Sequence, residues 1–311
     1  MTRLAAVTGA SGFLGARVAA ELAAQGWRLR LLARRAPRLR GLGAAPVEIV
    51  LGDLAEPGAL AALVAGADAV AHVAGAVKAR DRAGFMAVNA AGAAALAAAV
   101  AAARRRGAGP ARLALVSSMA ARAPGLSDYA ASKAEGEARA AALCGDLVIL
   151  RPAAIYGPDD PATAGLVRAL GGPVQPVLNH AAARLCLIHV ADAARAIAAA
   201  LTHAPGGAIW ELSDARVEGY AWAEIAATAA AAAGRAARPL RVPAAAIRLG
   251  GALGALATRV DGRARMLTPG KAREMLHADW ASSPQRQPPR DLWRPSITLA
   301  QGFGALFSTA R

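Results

Sequence analysis

The sequence predicts an α/β protein built on a doubly wound parallel sheet, with a smaller, mostly helical lobe toward its C-terminal end. Short apolar runs alternate with longer alanine-rich segments of helical period, which is typical of a parallel sheet covered by helices. A glycine-rich turn follows the first run, and the rhythm changes after residue 156. At 311 residues, the chain is long enough to bury the core that this architecture needs.

Six apolar runs predict the strands of the sheet. In chain order they cover residues 4–8, 28–33, 47–51, 69–73, 112–117 and 147–151. The segments between them predict helices over 14–25, 60–65, 86–105 and 129–143. Because helical crossovers return the chain to the next parallel strand, the series indicates a Rossmann-type sheet.

The glycine-rich turn after the first strand predicts a phosphate site. Gly9, Gly12 and Gly15 have GxxGxxG spacing between strand and helix. Gly9 allows a tight turn, Gly12 presents no Cβ to a pyrophosphate, and Gly15 lets helix and strand approach closely. The helix N-terminus offers free N–H groups to the same pyrophosphate. The other residues of this turn that we expect at the cofactor are Ser11, Phe13 and Leu14.

The end of the second strand favours NADP over NAD as the cofactor. A carboxylate there would bind the ribose diol of NAD, whereas arginine would accommodate a 2′-phosphate. This strand ends in Arg34 and Arg35 with no acidic residue nearby. Asp53 and Leu54, after the third strand, are placed to meet the adenine.

A tyrosine and a lysine four residues apart predict the reactive centre. Tyr129 and Lys133 lie on one face of a helix, and Lys133 is one of only three lysines among 36 basic residues. A nearby ammonium lowers the pKa of a phenol, and lysine is compact enough to reach ribose hydroxyls as well. Ser117 and Ser118 end the preceding strand at the sheet edge where ligands bind. These groups suit the reduction of a carbonyl.

The rhythm of the chain after residue 156 predicts a second lobe. Prolines interrupt a loop-rich stretch, and residues 185–201 then give one more strand and a helix with Asp192 as its N-cap. We therefore predict a dinucleotide-binding domain over 1–156, with 184–217 returning to it. The predicted substrate lobe comprises 157–183 and 218–311.

Composition and charge exclude several classes of partner. The formal charge is +15, but the arginines are scattered, so we predict attraction for phosphorylated ligands and no binding of nucleic acid. The five histidines and two cysteines lack metal-ligand spacing, so no metal site is predicted, and free thiols favour the cytoplasm. No signal peptide is predicted. The alanine runs at 90–103 and 221–233 fall short of the ~20 residues that a membrane span needs, so no stable insertion is expected.

An ordered series of motifs resembles the extended short-chain dehydrogenase/reductase superfamily, which contains NAD(P)-dependent epimerases, dehydratases and 3β-hydroxysteroid-type dehydrogenases. The resemblance spans residues 2–200. Its motifs are TGASGFLG, GDL, HVAG, VNAAG, VSS, YAASK, RPAAIYGP and HVADAARAI.

The resemblance implies a role for each matching residue. Tyr129 would be the catalytic acid/base and Lys133 its ribose-binding partner. Ser118 would donate to the substrate oxygen, with Ser117 as the competing candidate. The resemblance also implies that the cofactor is lined by Val73, Ala74, Gly75 and Asn89, with Pro152 and Ile155 beside the nicotinamide.

Two departures from the superfamily pattern argue against sugar chemistry. Only ten residues separate Ser118 from Tyr129, and Met119-Ala120 stands where sugar dehydratases carry an Asp-Glu pair. The leading hypothesis is an NADP(H)-dependent oxidoreductase acting on a carbonyl or secondary alcohol of an apolar or small compound. An epimerase with tightly held cofactor and a non-catalytic NAD(P)-binding or assembly protein are the alternatives, and a homodimer is left open.

Other residues are expected to serve packing. Tyr156 should pack in the crossover to the second lobe, and His189 should support the strand that contains it. Residues 244–260 should form core or lid, with an apolar substrate wall or a membrane-facing surface as alternatives. Trp280 and Trp293 should anchor the tail.

Overall fold

Seven parallel strands form the main sheet in the computed structural model, which describes residues 2–37, 41–160, 162–178 and 182–308. The strands within the described residues are β1 Leu4–Thr8, β2 Arg28–Ala33, β3 Val47–Leu51, β4 Ala69–His72, β5 Arg112–Val116, β6 Val148–Pro152, β7 Ala154–Tyr156, β8 Gln175–Leu178, β9 Arg184–Leu185, β10 Leu187–His189, β11 Ile209–Leu212, β12 Pro239–Val242 and β13 Asp279–Trp280. Every residue of β1 and β4 is buried, as expected for central strands covered on both faces.

The helices follow the alanine-rich segments. They are α1 Phe13–Ala24, α2 Pro57–Val64, α3 Arg82–Phe85, α4 Gly92–Arg105, α5 Asp128–Leu143, α6 Ala164–Leu170, α7 Val190–His203, α8 Trp222–Ala232, α9 Ala244–Asp261, α10 Pro269–Leu276 and α11 Leu299–Ser308. A π-helical segment, Met86–Ala91, joins α3 to α4.

The strand order confirms the predicted doubly wound sheet. Across the sheet the order is β3-β2-β1-β4-β5-β6-β11, so the winding reverses between β1 and β4. Ligands of such sheets bind at the carboxyl ends of the strands, beside this reversal. In the register of this pair Thr8 lies opposite His72, and the glycine-rich turn begins directly after Thr8.

Two hydrophobic cores cover the two faces of the main sheet. Val18 and Leu22 of α1 pack with Ile197 of α7 on one face. Leu63 of α2 and Leu96 of α4 pack on the other. Small alanine side chains let the helices approach the sheet closely, which explains how so alanine-rich a chain fills its interior.

The second lobe has its own core around Tyr156. This ring packs against Phe303 of α11 at 5.4 Å between centroids, and α8 contributes Trp222 and Ile225. The expected packing role of Tyr156 is therefore confirmed. Trp293 is buried in the sheet core and the indole N–H of Trp280 donates to the carbonyl of Glu274, so both tryptophans hold the tail.

The strand content after residue 156 differs from the prediction in two ways. The predicted strand near His189 exists as β10, but it pairs with β7 in a separate two-stranded sheet. The strand that joins the main sheet is β11, which pairs with β6. The run that forms β11 is only four residues long, and it was missed because its pairing partner lies some 60 residues earlier in the chain. The predicted domain boundaries stay a prediction, and they include residues 1, 38–40, 161, 179–181 and 309–311, which lie outside the described residues.

The predicted N-cap of α7 is wrong. His189 occupies that position, where its Nδ1 accepts from the backbone N–H of Ala191 at 3.3 Å. Asp192 lies inside the first turn and is fully buried. Its carboxylate accepts from the backbone N–H groups of Ser296 and Ile297. These bonds hold the C-terminal tail against the helix.

One continuous helical stretch, Arg82–Arg105, is long and apolar enough to cross a membrane by length and composition alone. It is longer than the alanine run at 90–103 because α3 and the π-helical segment extend the helix toward its N-terminus. Leu96, Ala97 and Val100 of this stretch are fully buried in the sheet core. One side of the stretch therefore packs against the sheet.

Candidate active site

A large cleft lies along the carboxyl edge of the sheet. Its volume is about 1980 Å³, and it is lined by the glycine-rich turn, the ends of the central strands, α5 and residues of α9 and α10. Pockets for single drug-sized ligands measure roughly 300–1,000 Å³. The cleft can therefore hold a dinucleotide together with a second molecule.

The glycine-rich turn leaves no room for side chains. Gly9 has φ +78°, and a Cβ there would lie 2.6 Å from the backbone nitrogen of Ala74. A Cβ on Gly15 would lie 2.0 Å from the carbonyl oxygen of Gly9. Gly12 caps α1 without a side-chain hydrogen bond, so the first N–H groups of the helix are free to bind an anion. This cradle fits the pyrophosphate of a dinucleotide.

A buried threonine–histidine pair supports the opposite wall of the cradle, and the sequence reasoning missed it. Thr8 Oγ1 and His72 Nδ1 are 2.7 Å apart, and the same hydroxyl accepts from the backbone N–H of Ala74 at 3.2 Å. Burial, and secondarily the charge of Lys133, lower the pKa of His72 to about 3. The neutral ring can therefore accept the hydroxyl proton. The signal available in the sequence was that Thr8 stands in the TGASG motif and His72 in the HVAG motif, each near the end of a predicted strand.

Asn89 lines the cleft, but its amide is occupied by the protein itself. Its Nδ2 donates to the carbonyl of Ala76 and to Ser132 Oγ, and its Oδ1 accepts from the N–H of Ala76 at 2.8 Å. The residue lies in the π-helical segment, a distortion often found at functional sites. Asn89 therefore ties the loop after β4 to α5.

The end of β2 presents one arginine to the cleft. Arg34 lines it, as do Asp53 and Leu54 after β3. Arg35 is not among the residues that line the cleft, and its contact with a cofactor stays a prediction. Both arginines lie in the bend that follows β2, beyond the last residue of the strand, Ala33.

The start of α5 brings the predicted reactive groups together. Ser127 caps this helix by accepting from the N–H of Ala130 at 2.9 Å, which places Tyr129 in the first turn and Lys133 one turn later. Ser118 lies beside the Tyr129 phenol, where its hydroxyl acts to lower the pKa of the phenol. Lys133 Nζ donates to the carbonyl oxygen of Val116 at 2.8 Å.

Burial controls the pKa values of the reactive groups. It raises the pKa of Tyr129 to about 12, because desolvation outweighs the hydrogen bond from Ser118 and the negative charge of Glu274 adds to the shift. Burial also lowers the pKa of Lys133 to about 8, against the opposing charge of Glu137. The predicted lowering of the tyrosine pKa is therefore wrong for this arrangement. The phenol is instead held protonated, as a proton donor must be.

The two candidate serines differ in their surroundings. Ser118 lies beside the phenol, and its hydroxyl accepts from the N–H of Ala120 at 3.1 Å. The Ser117 hydroxyl is buried with no hydrogen-bond partner among the described residues, although Ser117 also lines the cleft. Contact with Tyr129 favours Ser118 as the group that meets the substrate oxygen.

A carboxylate of the second lobe reaches the base of α5, and no pattern in the sequence predicts this contact. Glu274 of α10 is buried, accepts from the Ser127 hydroxyl and pairs with Lys271 at 2.8 Å. The contact joins α10 to the residue that caps the tyrosine helix.

The cleft thus collects every predicted site residue except Arg35. The residues that line it are Gly9, Ser11, Gly12, Phe13, Leu14, Gly15, Arg34, Asp53, Leu54, Val73, Ala74, Gly75, Asn89, Ser117, Ser118, Tyr129, Lys133, Pro152 and Ile155.

The fold and this cleft define an NAD(P)-dependent enzyme of the extended short-chain dehydrogenase/reductase type. Residues 5–213 match the model of the NAD dependent epimerase/dehydratase family, and the chain belongs to that family. The resemblance drawn from the motifs is thereby confirmed.

Known proteins similar to the chain include a reductase and several epimerases. The ceramide reductase of Caulobacter vibrioides is 44% identical over 279 residues, which are 89% of this chain and 86% of that protein. A human epimerase family protein solved with NADPH is 19% identical, with a TM-score of 0.73 and coverage of 99% of both chains. The UDP-glucose 4-epimerase of Thermus thermophilus, solved with NAD, is 22% identical, with a TM-score of 0.67 and coverage of 99% and 98%. At these identities the two structures show the fold alone.

Proposed function

We propose that the protein is an NADP(H)-dependent reductase that converts a ketone of a long-chain lipid amide into the secondary alcohol. The meeting of Ser118, Tyr129 and Lys133 in one dinucleotide-sized cleft is the observation that carries this proposal. Reduction of a carbonyl needs one hydride and one proton, delivered to carbon and oxygen respectively.

Each reactive side chain has one role in this reaction. The reduced nicotinamide supplies the hydride when it is bound. The Tyr129 phenol donates its proton to the substrate oxygen, while the Ser118 hydroxyl donates a hydrogen bond to the same oxygen. The ammonium of Lys133 binds ribose hydroxyls and stabilises the phenolate that remains. The proton returns to Tyr129 from solvent after the alcohol leaves.

The preference for NADP rests on Arg34. This residue is exposed at the end of β2 and lines the cleft, where a guanidinium can pair with the 2′-phosphate of the adenosine ribose. A nicotinamide dinucleotide of either kind fits the glycine cradle.

The substrate class is proposed from the ceramide reductase and from the cleft walls. A ceramide carries a secondary alcohol beside its amide-bearing carbon, and the corresponding ketone is the form that a reductase of this type can reduce. Apolar side chains of the second lobe line the cleft where a long chain would lie. They include Leu166, Trp222, Met266, Leu267 and Met275.

The test is reduction of a synthetic long-chain 3-keto amide by the purified protein. Oxidation of NADPH should be followed by absorbance and the alcohol product identified by mass spectrometry. A UDP-sugar panel is the matched comparison. If a nucleotide sugar is epimerised with cofactor retained through gel filtration, or if no ketone is reduced, the proposal is wrong. A cytoplasmic location stays a prediction.

A further inference from the structure

Helix α9 exposes a continuous apolar stripe. Leu249, Leu253, Leu256 and Val260 are spaced by four, three and four residues, so they share one face of the helix. Their exposed fractions are 60%, 56%, 57% and 81%, which are high for such side chains. We call these four residues the α9 stripe. A stripe of this length on one helix indicates a surface that meets a partner.

The opposite side of α9 faces the protein. A Cβ on Gly251 would lie 2.8 Å from the carbonyl oxygen of Thr268, and one on Gly254 would lie 2.0 Å from that of Leu267. The glycines therefore let α9 lie directly against the chain that leads into α10. This contact fixes the orientation of the helix and directs the α9 stripe outward.

Positive charge borders the α9 stripe. Residues 225–260 contain five arginines and no aspartate or glutamate. Arg248 and Arg259 are eleven residues apart on α9, or about three turns, and both are exposed. They therefore lie on the same flank of the stripe. Leucines on one face and arginines beside them are typical of a helix that lies in the headgroup layer of a bilayer.

The charged flank also borders the mouth of the cleft. Ala255, Thr258 and Arg259 of α9 line the cleft. The α9 stripe and part of the cleft wall therefore lie on two faces of the same helix. A surface that binds the stripe would therefore lie beside the opening. A lipid chain could then enter the cleft without crossing much water.

We infer that α9 docks the protein on the surface of a bilayer that contains anionic phospholipids. The acidic headgroups pair with Arg248 and its neighbours, and the α9 stripe enters the boundary between headgroups and acyl chains. A second copy of the chain is a poorer occupant, because four apolar side chains are far fewer than the roughly 20–30 residues a side of a standard interface. Symmetric pairing of this face would also bring like charges together. Delivery of substrate from the bilayer rests on the proposed function, whereas docking does not.

Vesicle co-sedimentation of the full chain tests the inference. Wild type should pellet with phosphatidylcholine vesicles that contain about one third phosphatidylglycerol, and less with phosphatidylcholine alone. The double variant Leu253→Glu/Leu256→Glu should bind at least about tenfold more weakly. Leu143→Glu is the matched control, because Leu143 is 46% exposed at the far end of α5. Arg248→Glu should weaken binding, whereas Arg106→Glu, the same change on α4's exposed C-cap, should not.

Three results would overturn docking. The first is wild type that stays in the supernatant with anionic vesicles, and the second is a double variant that pellets like wild type. The third is wild type that is a dimer without vesicles while the double variant is a monomer. Reduction of a short, water-soluble ketone amide should be unchanged in every variant. Loss of docking in the variants with this activity intact supports the docking inference. Ketone reduction by wild type that does not bind anionic vesicles contradicts docking alone. Vesicle binding without ketone reduction by wild type supports docking and contradicts the proposed function alone.

Discussion

Lys133 Nζ lies 2.8 Å from the carbonyl oxygen of Val116, which joins the middle of α5 to the end of β5. Both the ammonium and the strand end are buried. The contact fixes the lysine where the winding of the sheet places bound ligands. The same helix positions Tyr129 against Ser118, so one rigid element presents both reactive side chains.

Removing the phenol hydroxyl should abolish proton donation without disturbing the fold. Tyr129→Phe keeps the ring that packs edge-on against Phe85, with ring centroids 6.0 Å apart. We expect turnover to fall about 100- to 10,000-fold, which is the usual contribution of a positioned acid. NADPH affinity, measured by the fluorescence of the reduced nicotinamide, should stay within a few-fold of wild type. Near-normal turnover would exclude Tyr129 as the acid.

The two reaction directions should respond differently to pH. The pKa of Tyr129 is raised to about 12, so the proton donor needed for reduction is present at every pH from 6 to 8. Reduction should therefore be flat in that range and decline above about 8, where Lys133 loses its proton. Alcohol oxidation needs the phenolate and should rise by about tenfold per pH unit between 6 and 8. Initial rates in both directions check this, and parallel profiles would contradict it.

Cofactor preference should depend on one of two adjacent arginines. Arg34→Glu should weaken NADPH binding about 10- to 100-fold, because it replaces a charge-assisted contact with repulsion. NADH binding should be affected much less. Arg35→Glu is the matched control, since its side chain does not line the cleft. Equal effects of the two substitutions on the ratio of KM values for NADPH and NADH would contradict the assignment.

The glycine-rich turn should not tolerate a methyl group. Gly9→Ala places a Cβ 2.6 Å from the nitrogen of Ala74 at φ +78°, so we expect a loss of about 1–3 kcal/mol in the free energy of unfolding. Cofactor binding should weaken as well. Gly58→Ala, in α2 with open space around it, should leave stability unchanged or raise it by up to about 1 kcal/mol. Urea unfolding of both variants measures the difference.

The buried histidine should make stability fall in mild acid. The folded-state pKa of His72 is lowered to about 3 from 6.5, so its contribution is fully present above pH 6.5 and is lost as the pH falls toward 3. In mild acid the unfolded chain binds a proton at His72, whereas the folded protein keeps this ring neutral. Between pH 6.5 and 5 this group should cost about 2 kcal/mol.

His72→Asn is the comparison for that measurement. Its amide oxygen can still accept from the Thr8 hydroxyl, but the side chain does not titrate. The free energy of unfolding of this variant should fall less than that of wild type over the same pH interval. If the free energy of unfolding changed equally with pH in the two proteins, the lowered pKa of His72 would be contradicted.

The sequence by itself determined the sheet, the glycine turn and the reactive residues. The first three strands have the bounds that their apolar runs predict, because burial on both faces demands such runs. Gly9 has the positive φ expected of a tight turn, and Tyr129 and Lys133 share a helical face through their spacing. These features depend on neighbours within a few positions in the chain.

Only the tertiary structure decided the features that join distant segments. The pairing of Asp192 with the tail near Ser296, and of Glu274 with Ser127, spans more than a hundred residues in each case. The raised pKa of Tyr129 likewise comes from burial in a cleft that several elements enclose. Local periodicity carries no information about which distant side chain will supply a partner or exclude water. The outward direction of the α9 stripe is another such outcome, because packing against Thr268 fixes it.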